Sequence, residues 1–108
     1  MEPMPHPDPD ELAEVLHTLG ISPLRTGILQ VIQRRGAATA QDLMGELHVS
    51  RSRLGPHLKI LVDAGVLIEG PDPAAAGARS GFNRLLWRIN ETVLEHHLEF
   101  LVSALHAQ

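Results

Sequence analysis

"HVSRSRLGPHLKILVDAGVL", residues 48–67, is the stretch whose reading decides the fold. Leu54, Leu58, Leu61 and Val62 recur at helical spacing, while Arg, Ser and Lys fall between them. Ser50 suits an N-cap and Gly65 a helix C-terminus, so the spacing predicts a helix over about 51–64. On a wheel of roughly 100° per residue, Ser52, Arg53, Pro56, Lys59 and Asp63 lie opposite the leucines. Just upstream, in "TAQDLMGELHVS", Thr39 and Asp42 are spaced like a capping box, with Asp in place of the usual Glu. Leu43, Met44 and Leu47 give that segment its apolar stripe, so a short helix, a three-residue turn and a longer helix follow one another.

Gly55-Pro56 is the awkward part of this reading. Pro56 has no N–H for the carbonyl of Ser52, a cost of about 3 kcal/mol in a regular helix interior, and Gly55 gives the backbone room to bend. The pair predicts a kink or a loosened first turn at residues 51–55. The alternative is a helix that begins nearer Pro56, with residues 50–54 as a preceding turn. Either way, an exposed Pro ring beside a Gly leaves a smooth surface that can sit close to base edges.

Upstream, residues 1–9 are punctuated by Pro and read as a flexible arm, so the single domain is placed at 10–108. Leu12, Val15, Leu16 and Leu19 form a first helix ended by Gly20. In "SPLRTGILQVIQRRG", Ser22 is the N-cap and Pro23 the first helical residue. Leu24, Ile28, Leu29, Val31 and Ile32 are the apolar face, and Arg34-Arg35 precede Gly36. Downstream, "VLIE" reads as a strand, "GPDPAAAGARSG" as a loop, and Leu85, Trp87 and Ile89 alternate with Arg84, Leu86 and Arg88 as a second strand. This is a long-tipped hairpin over about 66–89. From the N-cap Asn90 the period becomes helical again through about 91–107, with Leu94, Leu98, Leu101 and Leu105 on a face too wide for one small core.

The chain's 108 residues suffice for one domain with a modest core, and a partner subunit is a reasonable source of further stability. No apolar run approaches the ~20 residues of a membrane span. The opening "MEPMPHPDPDE" is acidic where a secretory leader is basic, so a cytoplasmic location is expected. There is no Cys, which excludes disulfides, thiolate zinc sites and cysteine nucleophiles. Net charge is −4, but residues 1–20 and 89–108 contain eight acids and no Lys or Arg. The middle is therefore a basic block. Phosphate attraction is screened beyond roughly 8–10 Å, so a local basic face suffices to bind DNA.

This order of elements is that of a winged helix-turn-helix domain, mostly α with a small β-hairpin. The sequence resembles the ArsR-type family of bacterial repressors over residues 22–89. "SPLRTGILQVI" looks like that family's second helix, and "TAQDLMGELHVSRSRLGPHLKILVDAGVLIEG" like its helix-turn-helix with the "S…HLK.L..AG.L" frame. "GFNRLLWRIN" resembles its second wing strand running into a terminal helix. The resemblance implies a homodimer paired through the first and last helices, which singles out Leu12, Val15, Leu16, Leu94, Leu98, Leu101 and Leu105. It also implies one recognition helix per subunit in the DNA major groove.

The residues themselves supply the candidate contacts with double-stranded DNA. Arg53 is the expected base reader, bidentate to a guanine, with Ser52 adaptable beside it and Pro56 on the same face. Arg51, His57 and Lys59 lie nearer phosphates. Thr39 and Gln41 open the preceding helix, whose N-terminal amides suit a phosphate, although Thr39 would cap that helix in any case. Arg79, Ser80 and Arg84 surround the wing tip, within reach of the minor groove or the adjacent backbone.

Seven histidines raise the question of metal. His96, Glu99, Ser103 and His106 share a face of the last helix, but His96 and His106 are about 15 Å apart along it, too far to share one ion unaided, which leaves a site built across a dimer as the alternative to solvated histidines. No metal, cofactor or catalytic constellation is expected. The leading expectation is a homodimeric repressor on a palindromic operator. The alternatives are a winged helix that only binds proteins, and a repressor released by a metal or small molecule. The sequence names no inducer.

Overall fold

The computed structural model describes residues 8–73 and 84–107. Five helices and three short strands follow in the order α1 (Pro9–Leu19), α2 (Pro23–Arg35), β1 (Ala38–Thr39), α3 (Ala40–Leu47), α4 (Arg51–Asp63), β2 (Leu67–Pro71), β3 (Leu85–Ile89) and α5 (Glu91–His106). The architecture is an α+β winged helix-turn-helix.

Helix starts follow the side-chain chemistry of the caps. Ser22 Oγ accepts from the Arg25 N–H at 3.2 Å, Ser50 Oγ from Arg53 N–H at 3.3 Å, and Asn90 Oδ1 from Val93 N–H at 3.3 Å. Asp8 caps α1, whose first residue is Pro9, so this helix starts within the segment expected to be an arm. Residues 1–7 of that segment lie outside the described residues. At the other end of α4, Gly65 adopts φ +80° and the Val66 N–H returns to the Leu61 carbonyl at 3.0 Å, a closure that requires the left-handed conformation.

Helix α4 is continuous through Pro56. The Leu54 N–H reaches the Ser50 carbonyl at 3.0 Å, so the first turn is closed rather than loosened, and a start at Pro56 is overturned. Burial explains the outcome. Leu54, Leu58 and Leu61 sit on both sides of the proline and are all in the core, which keeps both halves helical despite the missing bond.

That core gathers Ile28, Val31 and Ile32 of α2, Leu43 of α3, the α4 leucines, Val66, Leu67 and Trp87. The sheet is antiparallel in the order β1-β3-β2. Its third strand is a pair of residues that sequence periodicity does not reveal: Ala38 faces Trp87 and Thr39 faces Leu86. In β3 the expected alternation holds for Trp87, which is buried, and fails for Leu85, which stands opposite Pro71 at the outer end of the hairpin and is exposed. The hairpin is tied at its base by the Asn90 N–H to the Val66 carbonyl at 2.8 Å.

Helix α5 buries none of its residues. Val93 and Leu94, in its first turn, pack against the core, while Leu98, Phe100, Leu101, Val102 and Leu105 are exposed. No helix among the described residues is long and apolar enough to cross a membrane.

Candidate nucleic-acid interface

The site is assembled from α3, the turn at residues 48–50 and α4. At the start of α3 the capping box is complete: Asp42 N–H donates to Thr39 Oγ1 at 3.2 Å and Thr39 N–H to Asp42 Oδ2 at 3.0 Å. The Thr39 N–H holds the Asp42 carboxyl below the usual carboxylate range. The Thr39 hydroxyl and the charges of Arg35 and Arg84 act in the same sense, and partial burial opposes them. Asp42 also pairs with Arg35 at 3.0 Å. Glu46, one turn on, receives both Arg34 and Arg35, the latter at 2.9 Å. The two arginines that close α2 therefore fasten α3 to it.

The turn into α4 passes through His48, which has φ +54° and ψ +47°. Its N–H donates to the Met44 carbonyl, closing α3 with a non-glycine residue in the left-handed region. Ser50 then starts α4.

Beyond that turn, α4 separates its chemistry by face. Leu54, Leu58 and Leu61 point into the core, and Arg51, Ser52, Arg53, Gly55, Pro56 and Lys59 are exposed. The structure thus leaves Arg51, Ser52, Arg53, Pro56 and Lys59 exposed, with Arg51 at the groove edge beside Leu54 and Leu58 and Ser52, Arg53, Pro56 and Lys59 turned away from the core. Lys59 Nζ lies 3.1 Å from Asp63 Oδ2, an exposed i,i+4 pair worth well under 1 kcal/mol and readily exchanged for a phosphate. His57, at the edge of this surface, is half-buried and accepts at Nδ1 from Arg25 Nε–H at 3.2 Å. Arg25 was not legible as part of the site, because the two residues are 32 positions apart and only the packing of α2 on α4 joins them.

The wing stands beside α4 across an open groove of about 360 Å³ that Arg51, Gly55, Lys59 and Asp63 line from the helix and Glu69 and Trp87 from the hairpin. Trp87 Nε1–H donates to Glu69 Oε2 at 3.1 Å, a cross-strand bond that satisfies the indole while its ring fills the core. Arg84 is exposed at the outer end of the paired strands, where its carbonyl accepts from the Asp72 N–H at 2.8 Å, and its charge helps to lower the Asp42 pKa. Arg79 and Ser80 lie outside the described residues. Gln41 is exposed in the first turn of α3, while the Thr39 side chain is committed to its cap.

Of the residues expected at a subunit interface, Val15, Leu98, Leu101 and Leu105 are exposed and Leu12 is half-buried. Leu16 is buried within the subunit itself, and Leu94 packs against the subunit's own core. On α5, His97 Nδ1 is 2.9 Å from the Val93 carbonyl oxygen and His96 meets the His97 ring edge-on. Among the described residues no three His, Asp or Glu side chains gather in a group able to hold a metal ion.

A short capped helix, a three-residue turn and a second helix with one apolar and one basic face are what a major groove accepts. Residues 22–69 match the family model described as bacterial regulatory protein, arsR family. No curated protein matches the chain. The matched residues span α2, β1, α3, the turn, α4 and the start of the wing, so this part of the chain is similar to the helix-turn-helix of the ArsR family, the fold of a DNA-binding transcription regulator.

Proposed function

We propose that the protein is a homodimeric repressor that reads a palindromic operator, with α4 in the major groove and the wing on the neighbouring backbone. The observation that carries this reading is the solvent side of α4, where Ser52, Arg53 and Lys59 are exposed opposite three core leucines and Arg51 is exposed at the edge of the groove. Arg53 reads a guanine edge, and Arg51, Lys59 and His57 hold phosphates on either side. The net charge of −4 does not oppose this reading, because eight of the thirteen acids fall in residues 1–20 and 89–108.

The dimer in this proposal is held by α5 and α1. A 16-residue helix that packs only its first turn, through Val93 and Leu94, against its own core and exposes Leu98, Phe100, Leu101, Val102 and Leu105 has an apolar surface that a second copy would cover. Val15 and Leu19 of α1 are exposed as well. Leu16 and Leu94 belong to the subunit interior and support the interface from beneath.

The experiment is selection of bound duplexes from a random pool, followed by a salt titration of the best sequence. Enriched inverted repeats and an affinity that falls steeply with salt are expected. A pool that enriches no sequence, with no salt-dependent binding, would overturn the reading in favour of a protein-interaction module. Loss of binding on chelation, restored by zinc, would add a metal sensor to it.

A further inference from the structure

Arg25 and His57 form a side-chain hydrogen bond between α2 and α4, and its chemistry has a single direction. A guanidinium carries only donors and stays protonated in proteins. Arg25 Nε therefore donates and His57 Nδ1 accepts, at 3.2 Å. An imidazole that accepts at Nδ1 carries its hydrogen on Nε2. The other edge of the His57 ring is thus fixed as a donor.

That donor is open to solvent. Among the described residues no side-chain nitrogen is both buried and without a partner, and His57 Nε2 makes no hydrogen bond to any of them. Arg25 is itself well placed to hold the ring. It is the third residue of α2, with its N–H bound by the Ser22 cap at 3.2 Å, so its backbone is anchored at the helix start. Among the described residues no carboxylate pairs with it, in contrast to Arg34, Arg35 and Lys59, and its charge remains on the same surface as the ring.

We propose that Arg25 is a positioning residue of the DNA interface: by donating to His57 Nδ1 it holds the ring in the Nε2–H tautomer and presents that N–H to a phosphate oxygen of the operator. The opposite tautomer would turn a lone pair toward the phosphate, so the bond decides whether His57 attracts or repels the backbone. This rests on the DNA-binding reading above.

The test combines a spectroscopic and a binding measurement. In the ¹⁵N-labelled free protein at neutral pH, His57 is expected to show the Nε2-protonated pattern, and Arg25→Met, which keeps the aliphatic stem, is expected to return the ring to a tautomer mixture. A wild-type His57 protonated on Nδ1 overturns the proposal. On the selected operator, Arg25→Met is expected to weaken binding about fivefold. His57→Gln places an amide donor near the Nε2 position without needing Arg25, so in that background Arg25→Met is expected to change affinity less than twofold. Equal losses in both backgrounds would make Arg25 a direct phosphate ligand and overturn the positioning role. Failure of the unaltered protein to bind any duplex, with the tautomer as expected, would instead overturn the DNA-binding reading and the phosphate contact with it. The spectrum of each variant reports its folding independently of DNA.

Discussion

Thr39 and Asp42 satisfy each other at the start of α3, each accepting on its side chain the backbone N–H of the other, at 3.2 and 3.0 Å. The pair does more than start a helix. Thr39 is also the last residue of β1, where it faces Leu86 of β3, and Asp42 carries the ion pair with Arg35 of α2. One capping box thereby joins the wing sheet, α3 and α2.

Asp42→Ala should therefore cost about 1 kcal/mol in chemical denaturation, since it removes half of the capping box together with an exposed ion pair. The acid dependence has a definite sign. The carboxyl is held below its ordinary value in the folded protein, so its contribution is complete above the unfolded value of about 3.9 and is lost as pH falls through the lower folded value. The stability gap between wild type and Asp42→Ala should be flat from neutral pH to about pH 4 and close below it. A gap that persisted in acid would assign the effect to something other than the ionised carboxylate.

Arg53 and Lys59 should separate reading from holding. Arg53→Ala is expected to cost about 1–3 kcal/mol on the best operator and to relax preference at one base pair per half-site, with a smaller loss on scrambled DNA. Lys59→Ala should weaken both DNAs alike and lower the salt slope by about one unit per subunit. On the wing, Arg79→Ala should behave as Lys59→Ala does. With both recognition helices on one face of the duplex, half-sites should lie about 10–10.5 base pairs apart or at a multiple of that. Equal losses on the two DNAs for Arg53→Ala would show that this side chain does not read bases.

Replacing Leu98 and Leu101 by Glu should give monomers in sedimentation, because both side chains are exposed beyond the one turn of α5 that packs on its own core. The fold should persist, and helical content should barely change. An unchanged dimer mass would locate the subunit contact elsewhere.

His48→Gly should raise stability by about 0.5–1 kcal/mol, since His48 occupies a left-handed conformation that costs a residue with a Cβ roughly that amount. The measurement is the urea midpoint. A loss of stability would mean that the imidazole makes a compensating contact in the turn.

Helix caps and apolar stripes were legible in the sequence because they are local. Ser22, Thr39, Ser50 and Asn90 each bind a backbone N–H three residues on, within the reach of a sequence window. What was not legible depends on partners far along the chain. Strand β1 consists of Ala38 and Thr39, too short for any period, and exists because β3 lies beside it. The Arg25–His57 bond joins two helices, and nothing in either segment alone marks it. Leu16 and Leu94 show a different limit: an apolar stripe looks the same whether it faces the subunit's own core or a second subunit. Helix α4 belongs to the same class, since local propensity argues against continuity at Pro56 and tertiary burial of Leu54, Leu58 and Leu61 overrides it.

Gly55 and Pro56 lead to the remaining prediction, because the fold does not require either of them. A Cβ at Gly55 would meet no atom within 4 Å, and Gly55 is not among the glycines with positive φ. Gly55→Ala should stabilise the protein by about 1 kcal/mol through helix propensity alone. Pro56→Ala restores the N–H that can reach the Ser52 carbonyl and should gain up to about 3 kcal/mol, less whatever proline contributes by restricting the unfolded chain. Two consecutive helix-weakening residues on the exposed face of α4 then call for a reason outside the fold, and close approach to DNA supplies one: bare backbone at Gly55 and a flat apolar ring at Pro56 fit against base edges where a longer side chain would stand off. Each variant should accordingly unfold at higher urea and bind the operator more weakly, with Arg53-dependent discrimination reduced. The pair of measurements is an unfolding midpoint and an operator titration on the same preparations. Higher stability with unchanged affinity would show that Gly55-Pro56 takes no part in the DNA contact.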